Sequence, residues 1–562
     1  MTASLFFVLL VALIGGVGAK LLKIPSLVGY IFAGIIGGML FAFDKGANQN
    51  IAELGIILLL FSVGLELSLE RLMTVGKIAI IGGILQIILV TSISFLFLTS
   101  FFNFSPNSSL ILSLAFSLSS TALLVKMMSD RGEVGTIHYE ILTGWSLVQD
   151  LAVIPIVVLL PTLTLGAESS WLNVAFGSVL TTALILAIVF LVGKLLAPYL
   201  THLIAITNNH ELLLLLAITL ALGTATLVTL FGISAAFGAF LAGVVISKTQ
   251  ENHAIFSETR PLRDIFAILF FVSLGFLVTP AFIFSHFFTI LILSIFVIIL
   301  KAIITFILCL AFGYRGKTAI AVSLGLAQVG EFAFVLFLIS GKMGIITNDV
   351  ASIGTATTLV TLLVSPFLFN SVVPIWRRLK ELTSNSKSLN KLFISGIIPV
   401  KEKETMQNHI IICGYGRMGK WIGKALKEIG VPFIIIDYKR SVVHDAEKGG
   451  FQAIYGDASF PEVLEIAHPE KAKAIIITLP DHIAQEEIIA FCKRSTPDIK
   501  IIARAHLDSD LKSLSEMKIH KIIQPEFEGA LAVVKNILTS SGRSKEEVNR
   551  KMKSLRLSHS NL

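Results

Sequence analysis

Thirteen apolar blocks, each near the ~20 residues that a membrane-spanning helix needs, follow one another through the first 373 residues. They cover 4–22, 24–43, 51–67, 78–102, 108–128, 140–160, 171–199, 211–231, 233–247, 262–278, 282–312, 318–341 and 349–373. Soluble cores cannot hide that much apolar surface, so this stretch is expected to lie in lipid. Composition agrees, because charged residues are 15% of the chain against about a quarter in an ordinary soluble domain. The first block carries no positive residue before Lys20, unlike a signal peptide, which starts basic. Three cysteines without a CxxC pair speak against a disulfide scaffold and against structural zinc. The net charge of +8 points to cytoplasmic loops rather than to nucleic acid.

With the C-terminal region in the cytoplasm, thirteen crossings put the N-terminus outside. The inside loops then hold Lys20, Lys23, Arg71, Lys77, Lys126, Arg131, Lys194, Lys248, Arg260, Arg263, Arg315 and Lys317. The outside loops hold Lys45 and Lys342, so twelve basic residues stand against two, as the positive-inside rule requires. An internal repeat supports the count. GYIFAG (Gly29–Gly34) in block 2 resembles GAFLAG (Gly238–Gly243) in block 9, and LLLFSVGLEL (Leu58–Leu67) in block 3 resembles LFFVSLGFLV (Leu269–Val278) in block 10. Blocks 2 and 9 start on opposite sides, so the repeats are inverted, with block 7 as connector. Inverted repeats mark secondary transporters, whose substrate site sits at the repeat interface near the midplane.

Blocks 5 and 12 correspond in the same way, Ser119 falling 209 residues before Gln328. Ser119, Ser120 and Thr121 either satisfy backbone groups freed by an unwound helix or bond back within an intact one. Gln328 and Glu331 sit equally deep in block 12, and two broken helices would bring opposite dipole ends to one site. Block 6 holds Asp150 about ten residues from either end, where a carboxylate is costly and functional by default. Gln149 adds an uncharged oxygen, and Pro155 frees a backbone carbonyl one turn on. Lys301, equally deep in block 11, is the expected partner of Asp150, with Glu331 as its alternative. Asp150 can take a proton or a monovalent cation but not both, and that competition is all an antiporter requires.

These motifs, together with FFVSLG and Gly330–Phe334 (GEFAF), resemble the cation/proton antiporter family 2 of the Kef type. The resemblance implies crossed, unwound helices in blocks 5 and 12, elevator-like alternating access, and exchange of potassium or sodium for protons in the cell's inner membrane. It places the ion-binding carboxylate at Asp150. The Gln before it is like the potassium transporters and unlike the paired-Asp sodium transporters.

The C-terminal region reads differently. HIIICGYGRMGKWIGKALKEIG is a strand, a Gly-rich turn and a helix, with Gly414, Gly416 and Gly419 in GxGxxG spacing. A second strand ends at Asp437, 18 residues after Gly419. That pattern lets backbone amides reach a phosphate at the helix N-terminus and lets the acid accept from a ribose. Three further strands follow in FQAIYGDAS, KAIIITLPD and IKIIARAHL. CGYGRMG, with Arg417 and Met418, YGDAS, with Asp457 and Ala458, and IIARAH, with Arg504, resemble the TrkA-N (RCK-N) regulatory domain. The resemblance implies a homodimer that binds AMP, ATP or NAD(H), and Arg504 matches a position near the glutathione-type effector of Kef relatives.

The expected architecture is thus a polytopic α-helical membrane protein with inverted repeats and broken crossing helices, plus a C-terminal α/β Rossmann-like domain. The expected divisions are a transporter domain at 1–375, a linker at 376–404 that begins with Arg377, Arg378 and Lys380, a nucleotide-binding domain at 405–540, and a polar, frayed tail at 541–562. The expected function is antiport of a monovalent cation, potassium before sodium, for protons, gated by a ligand on the cytosolic domain. A ligand-gated potassium channel would need a TVGYG-like filter, which the sequence lacks. A membrane-anchored dehydrogenase would need a second soluble domain, so the chain reads as a transporter and not an enzyme.

Overall fold

The structure, a computed structural model, describes residues 2–40, 45–66, 76–160, 193–230, 235–383 and 406–560, apart from single positions within those spans. Cα proximity divides the chain into two compact units, Met1–Leu124 with Ile141–Leu379 and Val125–Glu140 with Lys380–Leu562. Most of the block at 171–199 lies outside the described residues, and the count of thirteen crossings with it.

The first unit is helical. Among the described residues, six segments are long and apolar enough to cross a membrane: Ile78–Phe101, Pro106–Ser129 (two half-helices in line), Ile137–Val157, His210–Thr229, Phe287–Ala311 and Asn348–Asn370. Their outer faces are apolar as well, with Ile81, Ile84, Ile88 and Leu96 of the helix Gly76–Phe101 exposed, as lipid-facing side chains must be. The repeats meet at paired glycines. A Cβ on Gly34 would lie 2.2 Å from the Val272 carbonyl oxygen, and one on Gly275 would lie 2.3 Å from that of Ile31. Likewise, Gly64 abuts the Phe240 carbonyl at 2.3 Å and Gly243 that of Phe61 at 2.1 Å. Gly34 corresponds to Gly243 in the repeat, and Gly64 to Gly275. Exchanging the halves turns one contact pair into the other, which is what two-fold-related repeats produce.

Block 5 is not one helix. It forms Pro106–Ser117 and Thr121–Asp130, with Leu118 extended between them. Block 12 likewise forms Gly316–Gly325 and Phe332–Lys342. Hence Ser119 and Ser120 line a break, and Thr121 starts the helix that follows it. Three boundaries differ from expectation. Block 10 begins at Asn252 and runs through Pro261 rather than starting at 262. The start of the expected linker is helical, Val372–Thr383, because its apolar face continues the helix beyond Pro374. The expected frayed tail is a helix, Lys545–Ser560, that packs Val548 and Met552 onto Leu531 of the helix Pro525–Ser540 and binds Arg556 to Glu528 at 2.7 Å.

The second unit contains a six-stranded parallel sheet. Its strands are β1 (His409–Cys413), β2 (Phe433–Asp437), β3 (Gln452–Tyr455), β4 (Ala472–Ile477), β5 (Lys500–Arg504) and β6 (Lys521–Ile523), in the order β3-β2-β1-β4-β5-β6. Both faces are covered, which explains the unbroken isoleucine runs. Ile411, Ile434 and Ile475 enter one core, whereas Ile412 and Ile435 enter the other. The chain order reverses between β1 and β4, so a crevice opens beyond their carboxyl ends.

Candidate functional site

The break in block 5 organises the membrane site, because three consecutive hydroxyls each hold a different ionisable group. Thr121 Oγ1 donates to Asp150 Oδ2 at 2.6 Å. Ser120 hydrogen-bonds the Glu331 carboxyl, whose Oε2 is buried with no hydrogen-bond partner among the described residues. Ser119 Oγ accepts from Lys301 Nζ at 2.9 Å and donates to the Leu326 carbonyl at 3.0 Å. The broken segments also bond to each other, the Gly330 amide donating to the Leu118 carbonyl at 3.1 Å. A Cβ on Gly330 would lie 2.5 Å from the Ser119 carbonyl carbon, so the crossing requires glycine there.

Lys301 corrects an expectation. Its ammonium has three donors, and they go to the Leu118 carbonyl at 2.6 Å, Ser119 Oγ at 2.9 Å and the Gln328 carbonyl at 2.7 Å. All three acceptors are neutral, so the lysine pairs with neither Asp150 nor Glu331. It sits where carbonyls lose their helical partners at the ends of Pro106–Ser117 and Gly316–Gly325, and a positive charge there opposes the negative ends of both helix dipoles. The lysine is fully buried and staples the two breaks together.

Asp150 faces a small cleft lined by six apolar side chains, Leu60, Val153, Val157, Phe237, Phe240 and Phe332. A half-buried carboxylate beside such a wall is a place where a proton or a cation can be held. Gln149 is fully buried beside it, and its Nε2 donates to Gln86 Oε1 at 2.8 Å. Gln328 is fully buried too, and neither of its side-chain polar atoms has a partner among the described residues. Sequence reasoning missed Gln86 and Thr361. Thr361 Oγ1 accepts from the Val329 amide at 3.0 Å, satisfying a donor that the second break frees. The signals were present, because Gln86 is the one amide in its apolar block and Thr361 belongs to a threonine cluster in block 13.

In the second unit the GxGxxG turn leaves β1 at Gly414, whose φ of +94° suits glycine. Gly419 packs so closely that a Cβ would lie 2.2 Å from the Gly414 carbonyl oxygen. Around Gly416 nothing comes within 4 Å of an added Cβ. Gly416 is also the N-cap of the helix Arg417–Glu428 and provides no side-chain cap. An open, uncapped helix N-terminus with exposed Arg417 in its first turn fits a phosphate. Asp437 ends β2 and already accepts from the Tyr415 amide at 2.7 Å and the Lys439 amide at 2.8 Å. It therefore braces the turn, and its remaining lone pairs are what a ribose could use. Thr478, also missed from sequence, donates to the Gly414 carbonyl at 2.7 Å from the end of β4.

The other expected ligands are placed less directly. Met418 is half-buried and Ala458 is buried. Asp457 Oδ1 accepts from the Ser459 amide and hydroxyl, and burial holds its carboxyl above the usual range. Arg504 ends β5, on the far side of β4 from the turn, and contacts His506 at 3.0 Å and Glu526 at 3.4 Å. Its Nε is buried without a partner among the described residues.

The sequence profile of the transmembrane sodium/hydrogen exchanger family matches residues 6–373, and that of the TrkA-N domain matches residues 410–525. The Escherichia coli protein YbaL, which carries a cation/proton antiporter name, is 32% identical over 549 residues, 94% of this chain and 96% of its own. A protein of Haemophilus influenzae named as a glutathione-regulated potassium-efflux system is 27% identical over 545 residues, 96% of this chain and 86% of its own. Among solved structures, the sodium proton antiporter of Methanocaldococcus jannaschii superposes with a TM-score of 0.52 over 66% of this chain and 98% of its own. At 16% identity that likeness speaks for the fold of the membrane unit alone.

Proposed function

Because the chain belongs to the family of transmembrane sodium/hydrogen exchangers and carries a TrkA-N domain, we propose that it exchanges potassium for protons at Asp150 under the control of a nucleotide. The observation that carries this reading is the Asp150 carboxylate, held by Thr121 at a helix break and facing an apolar cleft. One proton or one monovalent cation neutralises it, and neither can be bound without the other leaving. Glu331 and Gln328, on the second break, offer further oxygens to the same ion. Potassium is favoured over sodium by the neutral Gln149 before Asp150 and by the relatives named as potassium-efflux systems. The unit works in the cell's inner membrane, with the TrkA-N domain in the cytoplasm and a homodimer as the expected assembly. Proton flux in inside-out vesicles, compared in potassium and in sodium, tests the choice. Faster exchange in potassium supports it, and equal or faster exchange in sodium reverses it.

The regulatory ligand is an adenine nucleotide, AMP, ATP or NAD(H), with its phosphate over Gly416 and its ribose toward Asp437. Gly416→Val fills the open space over the turn, so it abolishes nucleotide binding by the full-length protein while the sheet stays folded. Titration with AMP, ATP, NAD and NADP checks this, and NADP binds least because Asp437 repels a 2′-phosphate. Undiminished AMP binding by the valine variant would place the nucleotide elsewhere. If the nucleotide prefers one transport state, linkage requires the transport equilibrium to move by the same free energy. A glutathione-type effector at Arg504 is the second regulatory ligand to test in the same titration.

A further inference from the structure

Gln86 lies in the helix Gly76–Phe101, outside both broken segments, yet it is fully buried and bonded to two parts of the membrane site. Its Nε2 donates to the Ser117 carbonyl at 3.2 Å, and its Oε1 accepts from Gln149 Nε2 at 2.8 Å. The chemistry fixes the direction of this relay. A backbone carbonyl can only accept, so the end of Gln86 that meets Ser117 must be its NH₂. The other end is then an oxygen, which can only accept, so the atom of Gln149 that meets it must be Nε2. Gln149 Oε1 is thereby turned away from Gln86, and it is buried with no partner among the described residues. An orphaned buried amide oxygen is costly unless something binds it.

We propose that Gln86 is a positioning residue for the transported cation. By locking the Gln149 amide, it presents Oε1 as a neutral oxygen ligand beside Asp150. Through Ser117 it ties that ligand to the last turn of the first half-helix, so movement of the break and orientation of the ligand are linked. This inference rests on Asp150 as the ion site.

The test is a double-mutant cycle read by cation-driven proton flux in vesicles. Gln86→Leu lets the Gln149 amide turn. The half-saturating potassium concentration then rises about tenfold, the consequence of losing one net hydrogen bond's worth of cation binding, while the maximal rate stays near wild type. Gln149→Leu gives a rise of the same size. Adding Gln86→Leu to Gln149→Leu raises it no further, because the residue that Gln86 acts through is already gone. Gln86→Met, closer in shape, repeats the measurement, and thermal midpoints follow folding. An unchanged half-saturation in a folded Gln86 variant overturns the inference, as does an equal effect of Gln86→Leu in the Gln149→Leu background. Failure of both Gln86 variants to fold would make Gln86 a structural tie and would also overturn it. Asp150→Asn separates the two levels. If that variant still exchanges ions, the ion site itself is misplaced. If it is inactive while Gln86 variants are normal, only the role of Gln86 falls.

Discussion

Asp150→Asn reduces cation-coupled proton movement to the level of protein-free vesicles. Asn keeps the shape and can still accept the 2.6 Å bond from Thr121, so the break in block 5 is preserved and the protein stays folded. What Asn lacks is the negative charge. It has no proton to exchange and no charge to hold a cation facing the six apolar side chains of the cleft. Dye-reported flux measures the loss, and thermal unfolding confirms that the fold survives. Exchange at the wild-type rate would remove Asp150 from the mechanism.

Lys301→Ala has the largest effect on stability. The side chain fills the crossing, and its ammonium satisfies two carbonyl ends and one hydroxyl. Truncation leaves those buried neutral acceptors unpaired next to a cavity, at a cost of about 1–3 kcal/mol for each one that finds no new donor. The thermal midpoint of the detergent-solubilised protein therefore falls. Since the lysine bonds neutral oxygens rather than Asp150, the pH profile of whatever protein stays folded remains close to wild type. A normal midpoint with a displaced pH profile would show that the lysine acts on the carboxylate after all.

The lysine also shows where sequence reading stops. Its depth was legible, because lipid makes any buried charge conspicuous. Its partners were not, because backbone carbonyls occur at every residue and leave no mark in the sequence. The broken helices were half legible: Ser119, Ser120 and Thr121 signalled trouble for an intact helix, but the bonds that tie each hydroxyl to a different ionisable group depend on how two distant segments cross. Gln86 was visible as a lone amide, yet its meaning required Gln149 and Ser117, 63 and 31 residues away. In the second unit, β1 to β5 announced themselves as apolar runs, whereas β6 is three residues that start with Lys521 directly after His520. The tail helix had a readable stripe, Val548, Met552 and Leu555, that the surrounding Lys and Arg residues obscured.

Competition between the two occupants of Asp150 can be measured by recording potassium-driven proton flux in inside-out vesicles over a range of pH. If proton and cation share one carboxylate, the half-saturating potassium concentration rises about tenfold for each pH unit below the protonation of Asp150, while the maximal rate holds. A half-saturation independent of pH, with only the maximal rate changing, would mean that the proton and the cation bind at separate sites and would contradict the exchange mechanism.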